Sequence, residues 1–289
     1  MPFDVALEKG WFKEAGLDVD YKLPPSNAEP PRLVGTGNAD VTVSYSPDLL
    51  VAASKGLKVK ALASIMDRNI GGLFTLDPSI QNPKDLEGKT VAVYDFPMSQ
   101  LNWDTFAKHY GIDQSKVKKV SEGSYGVPLV VSGKVDAADG AAGGEVTDAE
   151  MKSGKKAKFW VYQPQNGIPK FYWFVIAGNS DWVQNNPEAA KQFVATLLRA
   201  QKWSEENPVE AAKIFAKRNP RATSEEAAVK GWADLLRYTK GRFVPSKPAG
   251  WMDPAIWQSY EKFLVAQKYL SKPVDPSTLL TDNKYVPGS

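Results

Sequence analysis

The side chains best suited to chemistry in this chain follow the ends of predicted strands. The run TVAVY at residues 90–94 is apolar and β-branched, with Gly88 before it and the tripeptide DFP after it, which is typical of a buried parallel strand. In open α/β sheets, the carboxyl ends of strands lead into helix N-termini and form the crevice where ligands bind. The loops after such strands supply the candidate ligand-binding residues, which are Ser44, Tyr45, Ser46, Tyr94, Asp95, Phe96, Ser99, Ser124, Tyr125, Asp139, Glu145, Asn166 and Tyr172.

Aromatic rings and hydroxyls dominate this candidate set. Such a composition suits a flat heterocycle that is held by stacking and by a few hydrogen bonds. Asp139 or Glu145 would accept a hydrogen bond from an exocyclic amine or a ring N–H of the ligand. A sulfonate would instead require clustered N–H donors or an arginine, and Arg32 and Arg68 are the only arginines in residues 1–190.

Several of these candidates also have a purely structural interpretation. Tyr45 and Tyr94 could be core aromatics at the end of a sheet. Asp95 and Asp139 could cap helices or turns, where aspartate is common for backbone reasons. The sequence leaves both interpretations open.

Two further positions depend on local geometry. Ser99 is predicted to be the N-cap of a helix over residues 99–110. Tyr172 and Trp173 lie in the apolar run FYWFVIA, which predicts a strand over residues 171–177. Because neighbouring side chains of a strand point to opposite faces, only one of these two rings can face a ligand.

Composition excludes several classes of site. The 289 residues include 36 basic and 33 acidic side chains, a balance without the footprint of a nucleic-acid-binding protein, and the basic run GKKAK at residues 154–158 is interpreted as a solvated turn. The chain has no cysteine, which excludes disulfides and thiolate metal sites. The single histidine, His109, ends a predicted helix, where a cation is favoured. We therefore predict no metal, no cofactor and no Ser/His/Asp catalytic set, and the lack of a P-loop motif assigns any ATP hydrolysis to a partner subunit.

The order of predicted elements indicates an α/β protein of two lobes. Strands and helices alternate through residues 39–177, which predicts mainly parallel sheets flanked by helices, and the part after residue 180 is mostly helical. Lobe 1 is predicted to contain residues 1–88 and 176–289, lobe 2 residues 89–175, with a ligand cleft between them. Residues 17–23 alternate as LDVDYKL, which predicts a half-buried strand, and residues 71–76 are predicted to continue the first sheet.

The sequence shows no membrane-targeting segment. No run approaches the ~20 apolar residues that a membrane-spanning helix needs. Met1 is not followed by a charged leader and an apolar core. If the protein is exported, we expect its leader to be absent from this chain.

Several stretches resemble one family of substrate-binding proteins. They include ALEKGWFKEAGLDV at residues 6–19, VGTGNADVTVSYSPDLLVAASKGLKVKALASI at residues 34–65 and NPKDLEGKTVAV at residues 82–93. In this order they resemble the SsuA/THI5-like, or NMT1-like, family, whose members are substrate-binding proteins of ATP-driven importers. The resemblance implies a type II periplasmic-binding fold whose two lobes close by hinge motion. It also implies a first strand before residue 1, which we expect to be missing from this chain.

The resemblance also implies a function. A monomeric solute receptor in the periplasm or on the cell surface would bind a small aromatic or heterocyclic molecule, such as a pyrimidine precursor of thiamine. It would deliver this ligand to a membrane permease with ATPase subunits and would not itself be an enzyme.

Two alternatives remain open at this point. One is a binder of sulfonates or nitrate. The other is a pyrimidine-synthase-like enzyme on the same fold, in which a lysine such as Lys89 would hold pyridoxal phosphate as a Schiff base. The synthases that share this fold use a cysteine-rich motif, which this chain lacks.

Overall fold

The computed structural model describes residues 1–24, 29–122, 126–239, 241–270 and 272–289. Its helices are α1 (Pro2–Glu8), α2 (Trp11–Glu14), α3 (Pro30–Gly35), α4 (Ser46–Ser54), α5 (Pro97–His109), α6 (Val127–Val131), α7 (Glu145–Ser153), α8 (Ser180–Asn185), α9 (Pro187–Glu206), α10 (Pro208–Arg218), α11 (Glu225–Thr239) and α12 (Pro254–Ala266). Its strands are β1 (Val41–Ser44), β2 (Val59–Met66), β3 (Gly71–Thr75), β4 (Thr90–Tyr94), β5 (Lys118–Glu122), β6 (Ala137–Ala141), β7 (Lys158–Val161) and β8 (Phe174–Asn179).

These elements form two compact units. The first unit contains Met1–Arg68, Lys170–Ala222 and Thr239–Ser289, and the second contains Asn69–Pro169 and Thr223–Tyr238. Both boundaries of the second unit differ from those expected at residues 88/89 and 175/176. The first boundary differs because β3 pairs with strands of the second unit, so this unit already begins at Asn69.

The first unit is built on a three-stranded sheet. Strand β8 lies in the centre and runs antiparallel to both β1 and β2. Helix α9 covers the sheet with a buried stripe of Ala190, Phe193, Val194 and Leu197, as its i, i+3, i+4 spacing predicts. This helix begins at Pro187, whose fixed φ suits the first turn.

The second unit contains a five-stranded mixed sheet in the order β5-β4-β6-β3-β7. Strand β4 is parallel to β5 and β6, whereas β3 is antiparallel to β6 and β7. The carboxyl ends of β4, β6 and β7 therefore share one edge, and their amino ends share the opposite edge. Phe74, Ala92 and Ala138 are buried in the core of this unit, where Val130 of α6 and Val146 of α7 pack.

The α/β class is confirmed, but three details of the predicted fold are wrong. The strand pairs of the first sheet are antiparallel and the second sheet is mixed, so the sheets are not mainly parallel. Residues 71–76 do not continue the first sheet, because β3 pairs with β6 and β7. Residues 17–23 form no strand: Leu17 and Val19 pack against the core while Asp18 and Asp20 are exposed, so the alternation is real but finds no neighbouring strand.

Helix α11 belongs to the second unit through a close backbone contact. A Cβ atom on Gly231 would lie 2.4 Å from the carbonyl oxygen of Gly143, so only glycine permits this approach. The hydroxyl of Thr147 in α7 donates to the carboxylate of Asp234 in α11 at 3.0 Å. These contacts explain why a helix late in the sequence joins the second unit. Within the described residues, no helix combines the length and apolarity needed to cross a membrane.

Candidate ligand-binding site

The carboxyl edge of the second unit's sheet brings several predicted residues together. Strand β4 ends at Tyr94, and α5 begins at Pro97 after Phe96, whose extended backbone forms the N-cap. The prediction that Ser99 is the N-cap is wrong, because Pro97 already starts the helix. Ser99 lies in the first turn instead, and its buried hydroxyl donates to the carboxylate of Asp139 on β6.

Asp139 is buried and lies at the centre of a hydrogen-bond network. Its Oδ1 accepts from the Tyr162 hydroxyl at 2.6 Å, and its Oδ2 accepts from the Ser99 hydroxyl and from the Tyr94 backbone N–H at 3.2 Å. Burial raises the pKa of Asp139 to about 6, although these three donors oppose the rise. Burial, followed by the nearby charge of Asp139, raises the pKa of Tyr162. The carboxylate thus ties β4, α5 and the end of β7 to β6.

Glu145, at the first position of α7, orients the ring of Tyr94. The Tyr94 hydroxyl donates to Glu145 Oε1 at 2.8 Å, and the Ala141 N–H donates to Oε2 at 3.0 Å. The rings of Tyr94 and Phe96 stack with centroids 5.5 Å apart and an interplanar angle of 18°. Phe96 is 38% exposed, which leaves part of its surface available to a ligand.

The remaining candidates of the second unit lie apart from this cluster or outside the described residues. Asp95 is exposed. Asn166 is buried, accepts from the Tyr110 hydroxyl and donates to the Val161 carbonyl at 2.6 Å, so it holds the end of β7. Ser124 and Tyr125 lie outside the residues that the structure describes.

The corresponding edge of the first unit carries an aromatic cluster. The ring of Tyr45 stacks on Phe174 with centroids 5.2 Å apart and meets Trp173 edge-on at 4.7 Å. Ser44 is buried opposite Val175 in the antiparallel register. The Ser44 hydroxyl and the indole N–H of Trp173 are both buried and have no hydrogen-bond partner in the described part of the chain. Of the two groups, the indole of Trp173 belongs to the aromatic cluster itself.

Tyr172 belongs to the core of the first unit, which corrects its prediction as a ligand-binding residue. It is 1% exposed, and its ring contacts Phe243 and Trp257. Its hydroxyl accepts from the Asp253 N–H at 2.7 Å, and its own N–H donates to the Ser46 hydroxyl at 3.1 Å. Ser46 therefore fixes the backbone at this point. Since Tyr172 faces the core, Trp173 is the ring that faces Tyr45.

Three residues at these strand ends were not among the predicted ligand-binding residues: Trp173, Tyr162 and Asp48. The alternation of Tyr172 and Trp173 was a signal for the first, although it did not say which ring faces inward. Asp48 follows Pro47 in the first turn of α4, and burial raises its pKa to about 7. No donor among the described residues faces its carboxylate, whereas Tyr260 and Tyr269 lie close enough for its charge to add to the rise of their pKa values.

Lys89 does not fit the role of a Schiff-base lysine. Its ammonium lies 2.8 Å from the Asp77 carboxylate and 3.2 Å from the Ser79 hydroxyl. The hydrogen bond to Asp77 raises the pKa of Lys89, whereas an amine that attacks a carbonyl requires a lowered one. Lys89 also precedes β4 and so lies at the edge opposite Tyr94. Residues 1–24, 29–122, 126–239, 241–270 and 272–289 contain no group of three or more histidine or acidic side chains placed to hold a metal ion.

Comparison with known proteins relates the chain to pyrimidine-associated proteins. The family model described as NMT1/THI5 like matches residues 1–211. The formylaminopyrimidine-binding protein of Halalkalibacterium halodurans is 27% identical over 286 residues, covering 96% of this chain and 85% of that protein. A 4-amino-5-hydroxymethyl-2-methylpyrimidine phosphate synthase of Saccharomyces cerevisiae is 25% identical over 235 residues, covering 78% of this chain and 69% of the synthase.

Solved structures of periplasmic binding proteins share the fold. The aliphatic sulphonate binding protein SsuA of Escherichia coli matches with a TM-score of 0.75 and 13% identity, covering 96% of this chain and 87% of that one. The nitrate-binding protein NrtA of Synechocystis PCC 6803 matches with a TM-score of 0.67 and 16% identity, covering 98% and 83%. At these identities the likeness establishes only the fold. The class of ligand has to be inferred from the side chains of this chain.

Proposed function

The chain belongs to the NMT1/THI5-like family, and we propose that it is the solute-binding protein of an ABC-type importer and binds a small pyrimidine-type heterocycle. It acts outside the cytoplasm and delivers this ligand to a membrane permease with ATPase subunits. The observation that supports the ligand class most directly is the stacked pair of Tyr94 and partly exposed Phe96 beside the carboxylate of Glu145. The relative that is named a formylaminopyrimidine-binding protein supports the same class.

The aromatic pair supplies stacking surface for a flat ring. Phe96 is exposed, and the hydrogen bond between the Tyr94 hydroxyl and Glu145 keeps the neighbouring ring in place. A heterocycle that stacks on Phe96 thus meets a surface that is already ordered, which lowers the entropic cost of binding. Base-like rings gain roughly 1 to 3 kcal/mol from one such contact.

Glu145 is the carboxylate we assign to an amine of the ligand. It is only partly buried, and each of its oxygens accepts one described hydrogen bond, so each keeps a lone pair. Asp139 is buried and already accepts three hydrogen bonds. We therefore reassign Asp139 from a direct ligand contact to a positioning residue that holds Tyr94 and Ser99.

In the first unit, we assign Tyr45 and Trp173 to ligand binding, together with Ser44. The buried indole N–H of Trp173 and the Ser44 hydroxyl lack described partners, and an unpaired buried polar group costs free energy unless a ligand or water satisfies it. A ring nitrogen or carbonyl oxygen would satisfy the Trp173 donor. Tyr172 is excluded from this set because its ring faces the core.

The synthase alternative is weaker but follows from named relatives in yeast. Lys89 does not fit a pyridoxal phosphate site, and the chain has no cysteine. A sulfonate or nitrate binder would need positive charge at the carboxyl edge, where the described side chains are instead aromatic, hydroxylic and acidic. The side chains at this edge favour a neutral or amine-bearing heterocycle.

Isothermal titration calorimetry against aminopyrimidines, formylaminopyrimidines, alkanesulfonates and nitrate tests the proposal. We expect saturable binding of pyrimidines only. Phe96→Ala should weaken it roughly tenfold to a hundredfold through lost stacking. Glu145→Gln should weaken amine-bearing pyrimidines about tenfold and spare analogues without the amine, because glutamine still accepts from Tyr94 but bears no charge.

Matched controls separate binding from folding. Tyr238→Ala removes a similarly exposed ring, 40% exposed, from the same unit, and Glu150→Gln neutralises a carboxylate further along α7. Both controls should leave the affinity unchanged. Binding of sulfonate or nitrate without pyrimidine, or turnover of the bound pyrimidine, would refute the proposed function.

A further inference from the structure

A cavity lies at the amino edge of the second unit's sheet. Its volume is about 470 Å³, which falls within the range of roughly 300 to 1,000 Å³ typical of small-molecule sites. Thr75 at the end of β3 and Lys158 at the start of β7 both line it. Tyr94 lies at the other end of β4, so the length of this five-residue strand, about 16 Å, separates the cavity from the edge that carries Tyr94.

Lysines dominate the rim of this cavity. Lys155, Lys156 and Lys158 line it, and they belong to the basic run at residues 154–158. Only Lys156 has a described carboxylate partner, Glu150 at 3.2 Å. Lys158 donates to the amide oxygen of Gln81 at 3.1 Å, and no ion pair joins Lys155 to a carboxylate in the described ranges. Lys155 thus has no described carboxylate partner, and Lys158 has only the more distant charge of Asp85, which it does not contact in an ion pair.

The nearby carboxylates are already engaged. Asp77, the one acidic residue in the lining, pairs with Lys89 at 2.8 Å and accepts from the Ser79 N–H at 2.8 Å. Asp85 accepts from the backbone N–H groups of Gln81 and Asn82, each at 2.8 Å. Neither carboxylate forms an ion pair with a lysine of the rim.

The floor of the cavity is apolar. Leu76, which is 8% exposed, and Pro78, which is exposed, are the apolar side chains of this lining that a ligand can reach, whereas Ile80 is fully buried. The Thr75 hydroxyl is satisfied, since it donates to the Asp136 carbonyl at 2.6 Å and accepts from the Asp77 N–H at 3.0 Å. A ligand that fits this arrangement needs an anionic head for the lysines and an apolar body for the floor.

We propose that this cavity is a second ligand site, distinct from the aromatic site, for a small organic anion that carries a phosphate or carboxylate on a short apolar body. Lys155 and Lys158 pair with the anionic head. Leu76 and Pro78 contact the apolar body. The site stands independently of the proposed pyrimidine site, because the two share no residue.

Ligand-observed NMR and calorimetry with three probes test this inference on the full chain. Phenyl phosphate has both features, inorganic phosphate has only the anion, and benzyl alcohol has only the apolar ring. We expect phenyl phosphate to bind at least tenfold more tightly than inorganic phosphate, and benzyl alcohol not to bind. Benzoate should also bind more tightly than inorganic phosphate, because it carries a carboxylate on the same apolar ring.

A charge-matched pair of variants locates the site. K155S/K158S should weaken phenyl phosphate binding at least tenfold, whereas K191S/K272S removes two lysines from the first unit and should leave it unchanged. Pyrimidine affinity should be the same in both variants. Equal weakening by the two variants, or equal affinity for phenyl phosphate and inorganic phosphate, would mean nonspecific attraction to surface charge and would overturn the proposal.

Discussion

The two units carry a similar local sequence at one strand end but stabilise it differently. In the first unit, β1 leads through Tyr45 into α4, and in the second unit, β4 leads through Tyr94 into α5, with a proline in the first turn of each helix. In the second unit, Asp139 from a neighbouring strand accepts three hydrogen bonds around this turn. In the first unit, the nearest equivalent carboxylate, Asp48, has no described donor.

This difference shows how the pKa of a desolvated carboxylate depends on its donors. Burial raises the pKa of both residues, to about 6 for Asp139 and about 7 for Asp48. Hydrogen bonds favour the charged form and so oppose the rise at Asp139, whereas nothing comparable opposes it at Asp48. Ionisation above these pKa values therefore costs stability at both residues, less at Asp139 than at Asp48, and only Asp139 also satisfies buried donors.

The largest effect is expected for Asp139→Ala. Removing the carboxylate leaves the buried Tyr162 and Ser99 hydroxyls without their acceptor, which should lower the free energy of unfolding by about 3 kcal/mol. Urea denaturation followed by circular dichroism measures the change. The control Asp95→Ala removes an exposed carboxylate and should change stability by less than about 0.5 kcal/mol. If both variants behave alike, Asp139 does not organise this edge.

In contrast to Asp139→Ala, Asp48→Asn should raise the free energy of unfolding at neutral pH. An unfolded aspartate has a pKa of about 3.9, so between about pH 4 and pH 7 the folded state retains a proton that the unfolded state has lost. Stability should therefore fall as the pH rises through this window and stay low above it. The variant should be more stable than the wild type by about 1 to 3 kcal/mol at pH 8, and nearly equal to it at pH 4.

Thermal unfolding at pH 4, 6 and 8 checks this pH dependence. Asp40→Asn neutralises an exposed aspartate of the same unit and should not change the slope. A slope that persists in Asp48→Asn would assign the pH dependence to another group.

The smallest changes in stability are expected for substitutions of two serines at the end of β1. Ser46→Ala removes the acceptor of the buried Tyr172 N–H and should cost about 1 to 2 kcal/mol. Ser44→Ala removes a hydroxyl that has no described partner and should change stability by less than about 0.5 kcal/mol. Chemical denaturation of both variants gives the comparison directly. A large loss for Ser44→Ala would show that this hydroxyl is satisfied in solution.

Periodic segments of the sequence were predicted well. Strand β4 has the bounds that its apolar, β-branched run indicates, and α9 starts at Pro187 and buries the stripe its spacing predicts. Residues 17–23 show the limit of this reasoning, because alternating burial arises wherever an extended segment lies on a core, with or without a partner strand. The predicted boundary at residue 88 failed for a related reason: strand pairing is not local.

The candidate site shows the same limit at the level of single side chains. The types and approximate positions of Tyr94, Phe96, Asp139 and Glu145 followed from the ends of predicted strands. Their roles did not follow, since the buried Asp139 accepts from Tyr162, which lies 23 residues away, while Glu145 is only partly buried.

The sequence by itself determined the α/β class, most helices, the central strand β4, the family and the chemical character of the candidate residues. Each of these depends on short-range patterns of polarity and backbone preference, which a single chain displays directly. Only the tertiary structure decided that β3 joins the second sheet, that Trp173 faces Tyr45 while Tyr172 faces the core, and that the lysines of residues 154–158 surround a cavity. Those outcomes depend on contacts between residues distant in sequence, whose burial and hydrogen bonding are fixed only when the chain packs.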